Sequence, residues 1–155
     1  MRARVVALRL LAQRRLTEVQ LWTRLERRGY AEDDIRACVE SCKRDGFIDD
    51  RLFAHLFIDG RMQAVGDARL VAELVRRGID RDAAKSSVAS SEHVEDERLG
   101  AAIDKLFRTR SPLSFPSAAR ALERLGFPAS AIYRQLRARA QREFAREDEA
   151  AGEGS

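Results

Sequence analysis

Side chains that could do acid–base or nucleophilic chemistry occur in this 155-residue chain, but their spacing is not that of a catalytic site. Carboxylates cluster at Asp49-Asp50 and at 95–97, where adjacent helical residues do not face one another. Both clusters sit where a helix would begin, and acidic residues stabilise helix starts. The sequence contains no nucleophile motif, glycine-rich phosphate loop or metal-binding spacing. We therefore predict no catalytic residues, no metal and no cofactor, and a chain that is not an enzyme.

The only two cysteines, Cys38 and Cys42, lie one helical turn apart. They fall in step with Ile35 and Val39, so they belong to the same apolar stripe. The two histidines, His55 and His93, lie in other repeat units of the chain than the cysteines, so no nearby histidine completes a metal set. The pattern predicts buried, reduced thiols, which are typical of a reducing compartment such as the cytoplasm. No apolar run approaches the roughly 20 residues of a membrane-spanning helix, so no membrane contact is predicted.

Arginine is the most distinctive feature of the composition. It supplies 26 of the 29 basic residues, and the formal net charge is +4. The first 142 residues hold 28 basic and 20 acidic side chains, whereas 143–155 hold five acids and one arginine. The planar guanidinium group suits carboxylates and phosphates, which favours an acidic or anionic partner. A GC-rich codon bias would produce the same excess of arginine, and composition leaves both interpretations open.

A six-residue pattern recurs three times along the chain. It reads Leu-Glu-Arg-Arg-Gly-Tyr at 25–30, Leu-Val-Arg-Arg-Gly-Ile at 74–79 and Leu-Glu-Arg-Leu-Gly-Phe at 122–127. The leucines lie 49 and 48 residues apart, and apolar residues follow each of them ten and fourteen positions later. Those residues are Ile35, Val39, Ala84, Val88, Ile132 and Leu136. A period of this length indicates tandem structural repeats.

The recurring glycine has a structural explanation. Helices often end on a left-handed residue, usually glycine because it lacks a Cβ. If Gly78 is that residue, Ile79 lies just beyond the helix and packs back on Leu74, as in a Schellman motif. Arginines in the last helical turn complement the helix dipole. The same geometry is predicted at Gly29 with Tyr30 and Leu25, and at Gly126 with Phe127 and Leu122.

Ala, Leu, Arg and Glu dominate the composition and strand-forming residues are few, which favours helices. Each period of about 48 residues accommodates three of them. The predicted fold is all-α, an elongated array of three tandem three-helix repeats. The repeats are placed at 1–47, 48–91 and 92–144, followed by an acidic, disordered tail at 145–155. The first helix is predicted to bury Val5, Leu8, Leu11 and Ala12. Predicted N-terminal caps are Thr17 (with Gln20), Asp49, Asp67, Asp80 and Ser114.

Three-helix units also resemble helix-turn-helix DNA-binding domains. The charge favours phosphate contact, but no helix combines basic residues with the Asn, Gln or Ser cluster that reads bases. Several arginines lie at helix ends rather than along one face, namely Arg27, Arg28, Arg76, Arg77 and Arg124. This pattern predicts weak, non-specific DNA contact. A basic helical DNA-binding protein remains the alternative function.

The middle repeat resembles the RecX family of bacterial recombinase regulators. The likeness begins in the run Gly46-Phe47-Ile48-Asp49-Asp50-Arg51-Leu52-Phe53-Ala54 and continues through Arg61, Gly66, Arg69, Glu73-Leu74 and Gly78-Ile79. With the flanking repeats it extends over nearly all of residues 5–142. The motif positions that we expect to be mostly structural are Asp49, Asp50, Phe53, Ala54, Gly66, Glu73, Leu74 and Gly78.

The resemblance implies a protein that binds the filament of the recombinase RecA. We predict that this chain is a non-enzymatic, cytoplasmic monomer. Members of the family are thought to lie along the filament groove and to suppress the ATPase and strand-exchange activities of RecA. Recombination, DNA repair and the SOS response would then be the processes affected. The residues expected to contact the partner are Arg61, Arg69, Arg76 and Arg77 in the middle repeat, and Arg24, Arg27 and Arg28 in the first.

Overall fold

The computed structural model describes residues 2–61, 65–92 and 94–154, and within these ranges its regular secondary structure is entirely helical. The nine helices found there are α1 (Ala3–Gln13), α2 (Glu18–Arg27), α3 (Glu32–Arg44), α4 (Asp50–Arg61), α5 (Asp67–Arg76), α6 (Arg81–Ala89), α7 (Glu95–Thr109), α8 (Phe115–Arg124) and α9 (Ala129–Glu153). The prediction of an all-α fold is therefore confirmed.

The recurring glycines end helices as predicted. Gly78 has a φ of 97°, and the N–H of Ile79 donates to the carbonyl oxygen of Leu74 at 3.1 Å, the bond that defines the Schellman motif. Corresponding φ values and bonds occur at Gly29 (87°; Tyr30 to Leu25, 3.4 Å), Gly126 (91°; Phe127 to Leu122, 3.2 Å) and also Gly46 (81°; Phe47 to Cys42, 2.9 Å).

Burial follows the sequence period. Leu25, Leu74 and Leu122 are fully buried, with 0% of their surface exposed. The six apolar residues that follow them at ten and fourteen positions are each at most 5% exposed. The repeated leucine therefore marks the same kind of core position each time.

Gly78 and Gly29 form a matched pair for testing these helix ends. A Cβ on Gly78 would lie 2.5 Å from the Cβ of Val19, whereas a Cβ on Gly29 would meet nothing within 4 Å. We expect Gly29→Ala to lower the free energy of unfolding by about 1–2 kcal/mol through the left-handed backbone alone. Gly78→Ala should cost about 1–3 kcal/mol more, because overpacking is added. Urea unfolding of both variants measures the difference, and equal losses would contradict the close contact with Val19.

The first compact unit comprises Met1–Gly60 and Val71–Ser91. Within it, α1, α2 and α3 pack on one another around a core that includes Leu10, Leu21 and Val39. The turn after α1 ends at the predicted capping box, where α2 begins. Thr17 Oγ1 accepts from the N–H of Gln20 at 3.1 Å, and Gln20 Oε1 accepts from the N–H of Thr17 at 3.0 Å. These bonds fix where α2 starts.

Helix α1 buries a different face from the predicted one. Its buried residues are Ala3, Val6, Ala7 and Leu10, whereas Val5 is 42% exposed, Ala12 is exposed, and Leu8 and Leu11 are half-buried. The predicted face is wrong because apolar residues occur in adjacent pairs along this helix. Two stripes offset by one residue then fit the same period, and only packing on α2 and α3 selects between them.

The second compact unit comprises Arg61–Leu70 and Glu92–Ser155. Helices α7, α8 and α9 pack together there, with Leu99, Ile103 and Ile132 in the core. Segment 65–70 lies in the same unit and is held by the turn that ends α8. The N–H of Gly66 donates to the carbonyl oxygen of Leu125 at 2.7 Å.

Asp67 does not act as the predicted N-cap. It is the first residue of α5, its N–H donates to Glu95 Oε2 at 2.6 Å, and its carboxylate accepts from Arg98. The buried arginine captures the carboxylate that would otherwise cap the helix. The other predicted caps are confirmed, with Asp49 accepting from Leu52 N–H at 3.0 Å, Asp80 from Ala83 at 3.2 Å and Ser114 from Ser117 at 3.3 Å.

Helix α9 continues to Glu153, where the sequence predicted disorder from residue 145. The segment is rich in Ala, Glu and Arg, which have high helix propensity. It also extends a helix that is already packed, so no nucleation cost arises. An ion pair of 3.3 Å between Arg139 and Glu143, four residues apart, stabilises α9 at the point where the helix leaves the core.

Candidate partner-binding surface

The C-terminal half of α2 presents three of the predicted contact residues to solvent in the first unit. Arg27 and Arg28 are exposed, and Arg24 is half-buried. Within the part of the chain that the structure describes, none of their guanidinium groups forms a hydrogen bond or an ion pair. Their charge is therefore available to an anionic group outside the chain.

Arg76 and Arg77 are adjacent in sequence but occupy different environments. The guanidinium carbon of Arg77 lies 4.4 Å from the centroid of the Phe57 ring, and its Nη1 donates to the carbonyl oxygen of Glu73 at 3.0 Å. Arg76, at the end of α5, is exposed and forms no such bond with any residue described. Cation–π contact already uses the charge of Arg77 inside the first unit. Arg76 is thus the better placed of the two for an external partner.

Three contacts within the first unit stabilise the helices that carry these arginines. The buried hydroxyl of Thr17 donates to the carbonyl oxygen of Arg77 at 2.6 Å, which ties the start of α2 to the end of α5. Asp50 Oδ1 accepts from the N–H of Glu18 at 2.9 Å, which ties α4 to the same start. Phe57 in turn stacks on Phe53, with centroids 6.4 Å apart. The arginines therefore project from a fixed group of helices.

Asp50 supports a pH-dependent test of this group. Burial raises the pKa of Asp50, the hydrogen bond from the N–H of Glu18 lowers it, and the Glu18 carboxylate raises it again. Because the pKa in the folded state is raised, protonated Asp50 contributes stability at low pH that is lost as the pH rises through that pKa. Asparagine can accept the same bond without a charge. The stability of Asp50→Asn relative to the parent protein should therefore increase from about pH 4 to about pH 7.

Urea unfolding across that pH range measures the effect. Asp50→Ala serves as the control, because it removes the acceptor as well as the charge. We expect it to cost about 0.5–2 kcal/mol, as the loss of a helix cap does. A stability difference between Asp50→Asn and the parent protein that does not change with pH would contradict a raised pKa of the half-buried Asp50 carboxyl.

Two predicted contact residues, Arg61 and Arg69, belong to the second unit. Arg61 is exposed at the end of α4. Arg69 is half-buried, and its Nη1 donates to the carbonyl oxygen of Arg124 at 3.1 Å, at the end of α8. The backbone of Arg69 also packs on Gly126, where a Cβ would lie 2.7 Å from the nitrogen of Arg69. Part of what the sequence assigned to partner binding at Arg69 is thus structural.

Sequence reasoning missed Arg98, which is only 6% exposed. Its Nη1 donates to the carbonyl oxygen of Val65 at 2.8 Å, and its Nη2 pairs with the carboxylate of Asp67. The sequence contains a signal of this burial. Position 98 lies four residues before buried Ala102, and residues four apart share one face of a helix. Through these two contacts, Arg98 holds segment 65–70 in the second unit.

The family-motif residues lie mainly in structural positions. Ala54 and Leu74 are buried, and Glu73 is 7% exposed. Phe53 is half-buried, Asp49 caps α4, and Gly78 ends a helix. Gly66 packs so closely that a Cβ would lie 2.4 Å from the carbonyl carbon of Gly126.

The thiols are not poised for chemistry. Cys38 and Cys42 are buried and free, as predicted. Burial, reinforced by the neighbouring Cys42 thiol, raises the pKa of Cys38 to about 11. Since the thiolate is the reactive form, Cys38 is a poor nucleophile at neutral pH. Across residues 2–61, 65–92 and 94–154, no helix has both the length and the apolar character required to cross a membrane.

The fold and the exposed arginines define a class of all-helical protein. Helices α1–α3 pack as one group of three and helices α7–α9 as another. The first unit also carries arginines that pair with none of the residues described. A family model described as RecX, first three-helix domain, matches residues 3–42. A regulatory protein RecX of Halorhodospira halophila is 31% identical over 109 residues, which cover 64% of this chain and 68% of that protein. The chain belongs to the RecX family, which confirms the resemblance.

Other relatives agree. The regulatory protein RecX of Thermobifida fusca is 36% identical over 98 residues, or 62% of this chain and 53% of that protein. The chain thus spans about half the length of that relative. A crystal structure of RecX from Lactobacillus salivarius superposes with a TM-score of 0.76 at 19% identity, covering 87% of this chain and 92% of the other. At that identity the match establishes the fold alone.

Proposed function

We propose that this protein binds the RecA recombinase filament in its groove and inhibits its ATPase and strand-exchange activities. Recombination, DNA repair and the SOS response would be modulated in consequence. The observation that carries the proposal is membership of the RecX family, whose compared relatives are named regulatory proteins. The action is non-catalytic and takes place in the cytoplasm.

Inhibition would come from occupying surface. Guanidinium groups pair with acidic side chains and with DNA phosphates, both of which a RecA–DNA filament offers. In the first unit, Arg76 and the α2 arginines supply cations that are not used internally, namely Arg24, Arg27 and Arg28. Arg61 and Arg69 are proposed as further contacts from the second unit. Arg77 contributes mainly by supporting the end of α5.

A basic helical DNA-binding protein that acts without RecA is the second candidate. The excess of basic over acidic residues in the first 142 positions favours it. Such binding would rest on phosphate contacts and would weaken steeply with salt, because condensed counterions are released on binding.

Co-sedimentation distinguishes the two functions. The protein is mixed with RecA filaments assembled on single-stranded DNA and, separately, with the same DNA alone, over a series of salt concentrations. We expect it to sediment with filaments at salt concentrations that remove it from bare DNA. Identical salt profiles in both mixtures would favour the DNA-binding alternative and overturn the proposal.

A further inference from the structure

Helix α9 extends beyond the core of its unit. Ala131, Ile132 and Leu136 are buried, and Arg139 is held by Asp104 at 2.9 Å. From Gln141 onward, every residue through Gly154 is exposed. At about 1.5 Å per residue, the unpacked part of α9 is about 20 Å long.

Two of the most exposed aromatic residues lie on this helix. Phe144 is 68% exposed and Tyr133 is 56% exposed. They are eleven residues apart, about three helical turns, so they share one face. We call this face the α9 outer stripe; it consists of Tyr133, Arg137, Ala140, Phe144 and Asp148. Exposed aromatic side chains on a helical stripe are a common feature of protein interfaces.

Charge changes sign along the same helix. Residues 137–146 contain four arginines and one glutamate, whereas 147–153 contain four acidic residues and no basic ones. Phe144 lies close to the boundary between the two parts. On the stripe itself, the charged residues are Arg137 and Asp148, on opposite sides of Phe144. When two copies of α9 lie antiparallel about Phe144, each Arg137 lies within about one helical turn of the other copy's Asp148, whereas an in-register parallel pair would oppose like charges. The helix is thus complementary to itself across a two-fold axis.

We propose that the α9 outer stripe is a self-association surface that pairs two copies of this chain in antiparallel orientation, with the Phe144 rings packed near the two-fold axis. The sequence predicted a monomer and a disordered tail. The helix changes that expectation, because it places Phe144, Arg137 and Asp148 on one face. A single helical stripe of this length buries less surface area than the roughly 1,200–2,000 Å² that stable complexes bury. The dimer should therefore be weak and reversible. The inference is independent of the proposed action on RecA.

Sedimentation equilibrium of the full chain tests the association. We expect the average mass to rise with concentration from that of a monomer toward that of a dimer. Phe144→Glu should abolish the rise. Leu52→Glu, which changes an apolar residue that is 51% exposed on α4 in the same way, should leave it unchanged. A constant monomer mass, or a dimer that survives Phe144→Glu, would overturn the proposal.

Cross-linking tests the orientation. R137C and A151C place thiols at equal distances from Phe144 on opposite sides of it. Oxidation of a mixture of the two variants should give mainly the mixed disulfide in an antiparallel pair. A prevalence of A151C homodimers would overturn the antiparallel arrangement. If Phe144→Glu instead weakens sedimentation with RecA filaments while both proteins stay monomeric, the stripe contacts the filament and self-association is overturned.

Discussion

Asp67→Ala is expected to lower the free energy of unfolding by about 2–4 kcal/mol. The variant leaves Arg98, only 6% exposed, with a buried positive charge and no carboxylate beside it. Removal of one partner of a buried pair costs far more than the pair contributes, because the remaining charge is not solvated. The Asp67 side chain is 41% exposed, so water can partly replace it, and the expected loss lies below the upper end for such pairs.

Asp96→Ala is the matched control for this prediction. Asp96 pairs with Arg134 at 2.8 Å, but their side chains are 56% and 62% exposed. An exposed pair contributes about 0–1 kcal/mol. The double variant Asp67→Ala/Arg98→Met should recover part of the loss, since no unpaired charge remains. Urea unfolding measures all three, and similar losses for Asp67→Ala and Asp96→Ala would show that Arg98 is not a buried cation.

Arg76→Glu is expected to weaken binding to RecA filaments about tenfold or more, because a charge reversal replaces attraction by repulsion at the contact. The stability cost should stay below about 1 kcal/mol, the range for a charge at a helix terminus. Arg81→Glu is the control, since it makes the same charge change at an exposed site in the first turn of α6. Titration of a labelled protein with filaments gives the affinities, and unchanged affinity of folded Arg76→Glu would remove this residue from the contact.

Arg77→Glu should behave differently from its neighbour. It loses the cation–π contact with Phe57 and the hydrogen bond to Glu73, so we expect a stability loss of about 1–2 kcal/mol. Any loss of binding should then follow the loss of folded protein. A fully stable Arg77→Glu protein that cannot bind filaments would reverse the roles of the two arginines.

Helix ends were predictable because their causes are local. A glycine at the end of a helix, a leucine four residues earlier and an apolar residue after it interact within six residues of chain. The helix stop at Gly78 and the capping box at Thr17 therefore followed from the sequence. Repetition of the same spacing also identified the buried leucines.

Features that depend on packing between helices were not predictable. The face of α1 is chosen by α2 and α3, because Val5 and Val6 are equally apolar. Likewise, nothing in the sequence distinguishes Arg76 from Arg77 until Phe57 is brought to one of them. The partner-binding role of the arginines remains a prediction, since it depends on a surface that another molecule supplies.

The rate of ATP hydrolysis by RecA on single-stranded DNA, measured while this protein is added, tests the proposed function most directly. We expect the rate to fall progressively as filaments become occupied. Arg76→Glu should require a higher concentration for the same inhibition, and Arg81→Glu should match the parent protein. An unchanged rate at concentrations where co-sedimentation shows the filaments to be saturated would contradict the proposed inhibition.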